Sequence, residues 1–425
     1  MDIVQPGADA GTPRAMTPVS RGERLDVLDV LRGAALFGII TANMRGFNGP
    51  LAGYLDHTLM WTDPLNRAAQ AMVDALISGK FITLFSFMFG IGFAIQMERA
   101  DARGVTSRAF YVRRLAVLLL FGIAHSVLLW WGDILAPYAV MGFVLLLFRK
   151  RSQTSVLRWS AGLFAYPAVL AAVMLALHAA GVPIPMPPPT TPEELQRVLG
   201  VYGGGSYAAI VGQNIAELPF TLFGLAFFYP RVLGIFLFGL WVWREGIIRD
   251  LASRTALLRR CQRHGLWIGL VFNLATVAVM EVFHPNPLAP SGWGLIANLT
   301  GSIGVPAGSL FYASTLALLW QDARWRERLK PFGAVGRTAL SNYLLQSVVC
   351  TTLYYSWGGG LYGTIGPMTG LVPAVAIYAA QVVLSLYWTR RFAQGPMEWL
   401  WRRLTYGRAG LQSSALAASA SAAGS

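Results

Sequence analysis

Charged residues are scarce in this chain of 425 residues, because only 13% of them are Asp, Glu, Lys or Arg. Soluble globular proteins carry about 25% charged residues, so roughly half of the expected surface charge is absent. Hydrophobic residues make up 55% of the chain, and the mean hydropathy is +0.50. A soluble protein could not keep this apolar fraction out of water. The composition therefore predicts an integral membrane protein.

Cysteine and the common catalytic motifs are also nearly absent. The two thiols, Cys261 and Cys350, form neither a disulfide framework nor a metal-ligand cluster. The glycine triplets at 203–205 and 358–360 lack the following Lys-Ser/Thr of a phosphate-binding loop, and neither HExxH nor a nucleophile elbow is present. The small residues at 304–308 instead have a spacing typical of helix packing. The sequence predicts no metal site and no permanently bound cofactor.

Acidic residues are the scarcer charged class, since 20 Asp and Glu against 34 Lys and Arg give a net charge of +14. In a soluble chain this excess would indicate nucleic-acid binding. In a membrane protein, basic residues mark the cytoplasmic loops. We therefore expect a lipid bilayer, and no nucleic acid, as the partner. The sequence leaves the oligomeric state open.

Apolar stretches of about 20 residues are long enough to cross a bilayer as helices. About ten of them predict an all-α bundle with both termini in the cytoplasm. Their approximate cores are 28–44, 81–97, 114–132, 134–149, 157–180, 219–243, 264–283, 293–320, 332–354 and 369–389. This topology puts nearly all basic residues inside, and it leaves on the outer side Arg45, Arg67, Lys80, Arg197 and Arg231.

The predicted domain organisation has three parts. Residues 1–24 read as a disordered cytoplasmic tail without the apolar core of a signal peptide. Residues 25–408 form the transmembrane domain. Residues 409–425 are a disordered tail of low complexity, rich in Ala and Ser.

Ionisable side chains inside membrane segments are costly and are candidates for a functional site. His125 and Asp133 are eight residues apart, so on one continuous helix they would share a face about 12 Å apart along the axis. A histidine beside a carboxylate suits proton transfer; the alternative is a histidine satisfied by a carbonyl of a neighbouring helix. Lys80 would neutralise an anionic group or extend to the lipid headgroups.

Two further polar sets lie in the first and ninth segments. Asp29 and Arg32 are three residues apart and can pair on one helical face, as a substrate site or as a structural ion pair. Asn342 and Gln346 are four residues apart and follow Arg337. They would bind a polar ligand from the cytoplasmic side or hydrogen-bond between helices.

Six stretches follow one another in the order of a known family signature. They are 24–33, 79–90, 121–125, 132–135, 336–347 and 395–402. On these stretches the chain resembles, over residues 24–408, the bacterial YeiB-like family, which carries the domain of unknown function numbered 418.

The first stretch, with Leu-Asp-Val-Leu-Arg-Gly at 28–33, is also similar to that of membrane-bound acyltransferases such as heparan-glucosaminide acetyltransferase. This similarity implies a multi-pass bundle in the bacterial inner membrane that moves an acyl group from cytoplasmic acyl-CoA to an envelope acceptor. In sugar O-acyltransferases a catalytic histidine stands eleven residues after the motif arginine, which here is Arg32, and Asn43 occupies that place. The glucosaminide branch accepts asparagine there and uses a histidine in the next outer loop, which contains His57 here.

Acyl transfer is the leading hypothesis for the function. His125 would be the general base or a transient acyl acceptor, oriented by Asp133, with Lys80 stabilising negative charge; His57 ranks lower. The predicted substrate- or cofactor-binding residues are Asp29, Arg32, Asn43, Arg337, Asn342 and Gln346. The alternative is a transporter or flippase of a small or lipid-linked molecule, in which the buried charged pairs would form the pathway.

Overall fold

A computed structural model describes residues 26–55, 60–102, 107–184, 190–285 and 290–406. Within these ranges the chain is helical and contains no strand. The helices are α1 (Asp26–Asn48), α2 (Leu51–Leu55), α3 (Pro64–Leu76), α4 (Lys80–Ala102), α5 (Ser107–Leu128), α6 (Leu135–Leu145), α7 (Gln153–Ala179), α8 (Pro192–Gly204), α9 (Tyr207–Phe227), α10 (Tyr229–Arg244), α11 (Thr255–Phe283), α12 (Gly292–Gln321), α13 (Ala323–Arg337), α14 (Ala339–Tyr354) and α15 (Pro367–Arg391), followed by α16 (396–406).

Seven helical stretches of the described chain are long and apolar enough to cross a membrane. Large apolar side chains cover their outer faces, among them Val169 and Val173 on α7 and Trp267 and Val271 on α11. An apolar surface of this extent is unfavourable in water, whereas the hydrocarbon core of a bilayer accommodates it. The prediction of an all-α integral membrane protein is confirmed. Ten crossings and cytoplasmic termini stay predictions, and the two predicted tails lie outside the described residues.

Two of the ten expected segments are interrupted in the structure. The segment expected at 219–243 divides into α9 and α10 at Phe228, and Pro230 lies in the first turn of α10, where its missing N–H breaks no bond of that helix. The segment expected at 332–354 divides into α13 and α14 at Thr338, whose backbone is not helical (φ −115°, ψ 34°). Each of these two predicted segments is therefore a pair of helices in the structure.

Helix α1 is the centre of the bundle and packs against α4, α13, α14 and α15. Glycines set its distance to α13. A Cβ on Gly33 would lie 1.9 Å from the Phe332 carbonyl oxygen, and one on Gly336 would lie 1.8 Å from the Asp29 carbonyl oxygen. The Tyr378 hydroxyl of α15 donates to the Gly33 carbonyl at 2.7 Å. These contacts hold the start of α1 against the end of α13.

Helices α11 and α12 also pack through glycine. A Cβ on Gly304 would lie 2.8 Å from the backbone nitrogen of Asn273. The Asn273 side-chain amide donates to the Gly304 carbonyl at 2.7 Å. The interpretation of the small residues at 304–308 as a helix-packing motif is confirmed.

The close contact of α1 with α13 makes a stability prediction. Gly336→Ala should lower the free energy of unfolding by about 1–3 kcal/mol, the usual cost of overpacking. Gly162→Ala on α7 is the matched control, because its Cβ meets nothing within 4 Å. Thermal unfolding of both variants in one detergent measures the difference, and equal stability would contradict the packing described.

Candidate active site

The centre of the candidate site is His125, which lies in the last turn of α5. The helix ends at Leu128, and the chain returns through the non-helical residues 129–134. This return brings Asp133 Oδ1 to 2.8 Å from His125 Nδ1. The expectation of one helix with the two residues about 12 Å apart along its axis was therefore wrong. The two side chains are instead hydrogen-bonded to each other. The Trp130 indole fixes the return by donating to the Gly46 carbonyl at 3.0 Å.

Asp133 and His125 belong to one chain of hydrogen bonds. Asp133 Oδ2 accepts the Ala136 backbone N–H at 2.7 Å, in the first turn of α6. A carboxylate is favoured at a helix N-terminus, and His125 Nδ1–H satisfies its other oxygen. The remaining ring nitrogen, Nε2, lies 2.7 Å from Ser347 Oγ. In the neutral tautomer with its proton on Nδ1, which faces the Asp133 oxygen, Nε2 accepts the Ser347 hydroxyl hydrogen.

Ser347 was not among the residues predicted from the sequence. It is fully buried on α14, in a stripe of polar residues four apart that also contains Tyr343 and Thr351. Four-residue spacing puts side chains on one face of a helix, and Tyr343 of this stripe packs its ring 5.3 Å from the His125 ring. The periodicity was therefore the signal that could have found Ser347.

A cavity of about 1020 Å³ extends from the start of α1 to the region of His125. Asp29 and Asn43 both line it, and fourteen residues of helix correspond to about 21 Å. At the end away from the start of α1 the lining includes Asp133, Trp130 and Tyr343. Each of these three residues contacts His125. Small-molecule sites usually hold about 300–1,000 Å³, so this cavity suits a large ligand.

The opposite end of the cavity is rich in arginine. Glu98 lies there 2.8 Å from Arg249, and Asp29 lies 2.7 Å from Arg32, so the predicted pairing of Asp29 with Arg32 is confirmed. The arginines that line this end are Arg32, Arg99, Arg114, Arg249, Arg337 and Arg402. Because two of the local acids are already paired with Arg32 and Arg249, the end keeps an excess of positive charge.

Glu398, the third acidic residue of the arginine-rich end, accepts hydrogen bonds from the first residues of α14. Its carboxylate accepts the Leu340 backbone N–H at 2.6 Å and the Ser341 backbone N–H at 3.2 Å, and the Ser341 hydroxyl also donates to it. Burial raises the pKa of Glu398, while the Ser341 hydroxyl and these backbone donors oppose that rise. Glu398 thus caps α14 and does not neutralise the arginines.

Arg337 is an arginine of this end whose side chain has an unsatisfied buried nitrogen. It lines the cavity, and its buried Nε has no hydrogen-bond partner. Within the described ranges no carboxylate lies within ion-pair distance of it. A guanidinium with a buried, unpaired Nε favours an anionic ligand.

Asn342 and Gln346 face α15 and are absent from the cavity lining. The Asn342 amide donates to Ser385 Oγ at 2.9 Å. The Gln346 amide donates to Gln381 Oε1 at 2.9 Å, and Gln381 donates in turn to the Asn342 carbonyl at 2.8 Å. The structure therefore uses both residues to join helices, the second of the two roles considered for them.

Lys80, Asn43 and His57 complete the predicted set. Lys80 is 2% exposed, but its Nζ donates to the Asp74 carbonyl at 2.5 Å and it does not line the cavity. Asn43 lines the cavity at the end near His125. His57 lies outside the described residues. The structure thus brings Asp133 and Asn43 to one end of the cavity and Asp29, Arg32 and Arg337 to the other. His125 contacts Asp133 from outside the cavity lining.

These features define a helical membrane protein with a basic cavity that ends beside a buried Ser-His-Asp arrangement. The chain matches the model of the family described as protein of unknown function (DUF418) over residues 242–408. It is 35% identical over 406 residues to the uncharacterized protein YxaH of Bacillus subtilis (strain 168), which covers 92% of this chain and 96% of that protein. It is 28% identical over 398 residues to the uncharacterized protein YeiB of Escherichia coli (strain K12), or 91% and 98% of the two chains. The chain belongs to this YeiB-like, DUF418 family.

The amide network between α14 and α15 makes a second stability prediction. Asn342→Ala leaves buried partners without a hydrogen bond and should lower the free energy of unfolding by about 1–3 kcal/mol. Asn298→Ala is the control, since the Asn298 amide bonds only to the Gly294 carbonyl one turn back. The measurement is thermal unfolding in detergent, and an Asn342→Ala protein as stable as the control would contradict this role.

Proposed function

We propose that this protein is a membrane-bound acyltransferase that moves an acyl group from acyl-CoA to an acceptor on the opposite side of the bacterial inner membrane. The observation that carries the proposal is one continuous cavity, which joins the partnerless Arg337 with Asp133 and Tyr343 beside His125. The arginines and three residues that contact His125 thus line one cavity, whereas His125 and Ser347 lie outside its lining.

The donor fits this cavity by charge and length. Acyl-CoA carries its phosphates at one end and its thioester at the other, and arginine binds phosphate with two parallel hydrogen bonds. Counted as an extended chain of four to five peptide-like units, the arm between them spans roughly 16 Å. The cavity covers about 21 Å along α1, so it is long enough to hold the phosphates at its arginine-rich end and the thioester towards its other end. Acyl-CoA would bind as a substrate and not as a permanent cofactor.

The cavity walls suit the uncharged part of this donor. Phe85, Phe89 and Phe93 of α4 line the space between the two ends, together with Met88 and Leu118. Aromatic and aliphatic walls exclude water, which protects a thioester from hydrolysis and strengthens every electrostatic interaction inside.

His125 would act as the general base of the transfer. The Asp133 carboxylate would accept from Nδ1–H, which leaves Nε2 as the basic nitrogen and stabilises the imidazolium that forms. Both ring nitrogens have partners in the structure, so a transient acyl group on His125 would require Ser347 to leave Nε2. The general-base role therefore agrees better with the geometry than the acyl-acceptor role.

The orientation follows from the positive-inside rule. The arginine-rich end would face the cytoplasm, where acyl-CoA is available, and the end near His125 would face the envelope acceptor. Buried aromatic side chains cover that second end, among them Trp131, Tyr202, Tyr354 and Tyr355. An acceptor hydroxyl or amine would have to displace part of this cover.

Acyl transfer in proteoliposomes tests the proposal. Radiolabelled acetyl-CoA should transfer its acetyl group to an envelope extract, and His125→Ala should lower the rate about 10²–10⁴-fold, the usual contribution of a general base. His264→Ala is the control, because His264 is exposed on α11. Counterflow of CoA without transfer would contradict the proposal and favour a transporter.

Arg337 makes a separate prediction on binding. Arg337→Gln should weaken the affinity for acetyl-CoA by about 10–100-fold, since a hydrogen bond to a charged group contributes about 1.5–3 kcal/mol. Arg328→Gln is the matched control on the same helix, because Arg328 is exposed and stacks on Trp325. Isothermal titration with desulfo-CoA as the ligand measures the affinity, and equal affinities of the two variants would exclude Arg337 from the site.

A further inference from the structure

We infer that Ser347 is the nucleophile of this site and carries the acyl group between donor and acceptor. The inference rests on the proposed function and adds a covalent intermediate to it. Ser347 Oγ is 2.7 Å from His125 Nε2, and His125 Nδ1 is 2.8 Å from Asp133 Oδ1. Nucleophile, base and orienting carboxylate lie in the order that activates a serine.

The hydrogen-bond directions support activation of this serine. Asp133 is held as a carboxylate by the Ala136 N–H and accepts from Nδ1. The Ser347 hydroxyl therefore donates to the basic nitrogen, and the base can remove its proton without moving. One chain of three hydrogen-bonded groups thus runs from the Ser347 hydroxyl through His125 to the Asp133 carboxylate.

Tyr343 supplies a second feature expected of an acyl-transfer site. It lines the cavity one turn before Ser347 on the same face of α14. Its hydroxyl oxygen accepts the Ile134 backbone N–H at 3.3 Å, so its own hydrogen is not used in that bond. Among the described residues no acceptor binds this hydrogen, which leaves it for the oxygen of an acyl group at Ser347.

The reaction divides into two balanced halves. Ser347 Oγ attacks the thioester carbonyl carbon of acyl-CoA while its proton passes to His125 Nε2; the C–S bond then breaks, and the CoA sulfur takes that proton. The acceptor hydroxyl next attacks the Ser347 ester and gives its proton to His125. The ester C–O bond breaks, and the proton returns to Ser347 Oγ. No oxidant or reductant takes part.

A fluorophosphonate probe tests the nucleophile without any acyl donor. An activated serine displaces fluoride from phosphorus and gives its proton to the base, so the wild-type protein in detergent should be labelled on the peptide that contains Ser347. Ser347→Ala should lose the label, and His125→Ala should slow labelling about 10²–10⁴-fold. Ser314→Ala is the matched control, because Ser314 is buried and bonds only to carbonyls of its own helix.

The acyl intermediate is tested in the same preparation with radiolabelled acetyl-CoA and no acceptor. The expected result is acetate on Ser347, and Ser347→Cys should carry it as a thioester that neutral hydroxylamine releases. This cysteine variant keeps a nucleophile of similar size and covers the case in which Ser347→Ala fails to fold.

The outcomes separate the inference from the proposed function. Acetyl transfer that survives in Ser347→Ala and is lost in His125→Ala would overturn the nucleophile and leave the acyltransferase intact. Absence of both probe and acetate from Ser347 would also overturn it. Probe on Ser347 without any transfer from acetyl-CoA would support an activated serine and contradict the proposed function.

Discussion

The return of the chain between α5 and α6 is the constraint on which the candidate site depends. If α5 continued through residue 133, His125 and Asp133 would be separated by two turns and could not bond. The helix ends at Leu128 instead, and residues 129–134 carry Asp133 back to His125. The same carboxylate accepts the Ala136 N–H of the next helix. One side chain thus satisfies a helix end and a histidine in a region where unsatisfied polar groups are costly.

The charged side chains that line the cavity are the second feature on which the candidate site depends. An ionisable group inside a membrane protein must be paired, hydrogen-bonded or directed to a polar space. Asp29, Glu98 and Glu398 of the cavity each have a protein partner. The surplus of arginine at the same end, with Arg337 lacking an acidic partner, is the feature that an anionic substrate would explain.

Much of the fold follows from the sequence, because hydrophobic length is a strong signal for membrane helices. The pairing of Asp29 with Arg32 followed from a three-residue spacing, and the choice of His125 and Asp133 as candidate site residues followed from the cost of burying ionisable groups. The breaks at Phe228 and Thr338 did not follow from hydropathy, since an apolar stretch is equally apolar with or without a kink. Ser347 was not predicted because a serine costs little free energy in a membrane helix. Its contact with His125 depends on α5, 222 residues away in the chain.

The alternatives for Asn342 and Gln346 illustrate the limit of spacing arguments. Four-residue spacing gave one shared face, but it could not tell whether that face meets a ligand or α15. On the neighbouring stripe of α14, Tyr343 lines the cavity and Ser347 contacts His125. One face of this helix thus meets α15 and an adjacent face meets the cavity and α5, and only the tertiary structure distinguishes the two.

The most direct measurement of the central claim is a cryo-EM structure of the full chain in lipid nanodiscs with a thioether analogue of acetyl-CoA that cannot transfer its acyl group. The account predicts phosphate density against Arg337 and Arg402, and the acyl group beside Tyr343 within reach of Ser347. Ligand density outside the cavity, or a cavity that stays empty at saturating analogue, would contradict it.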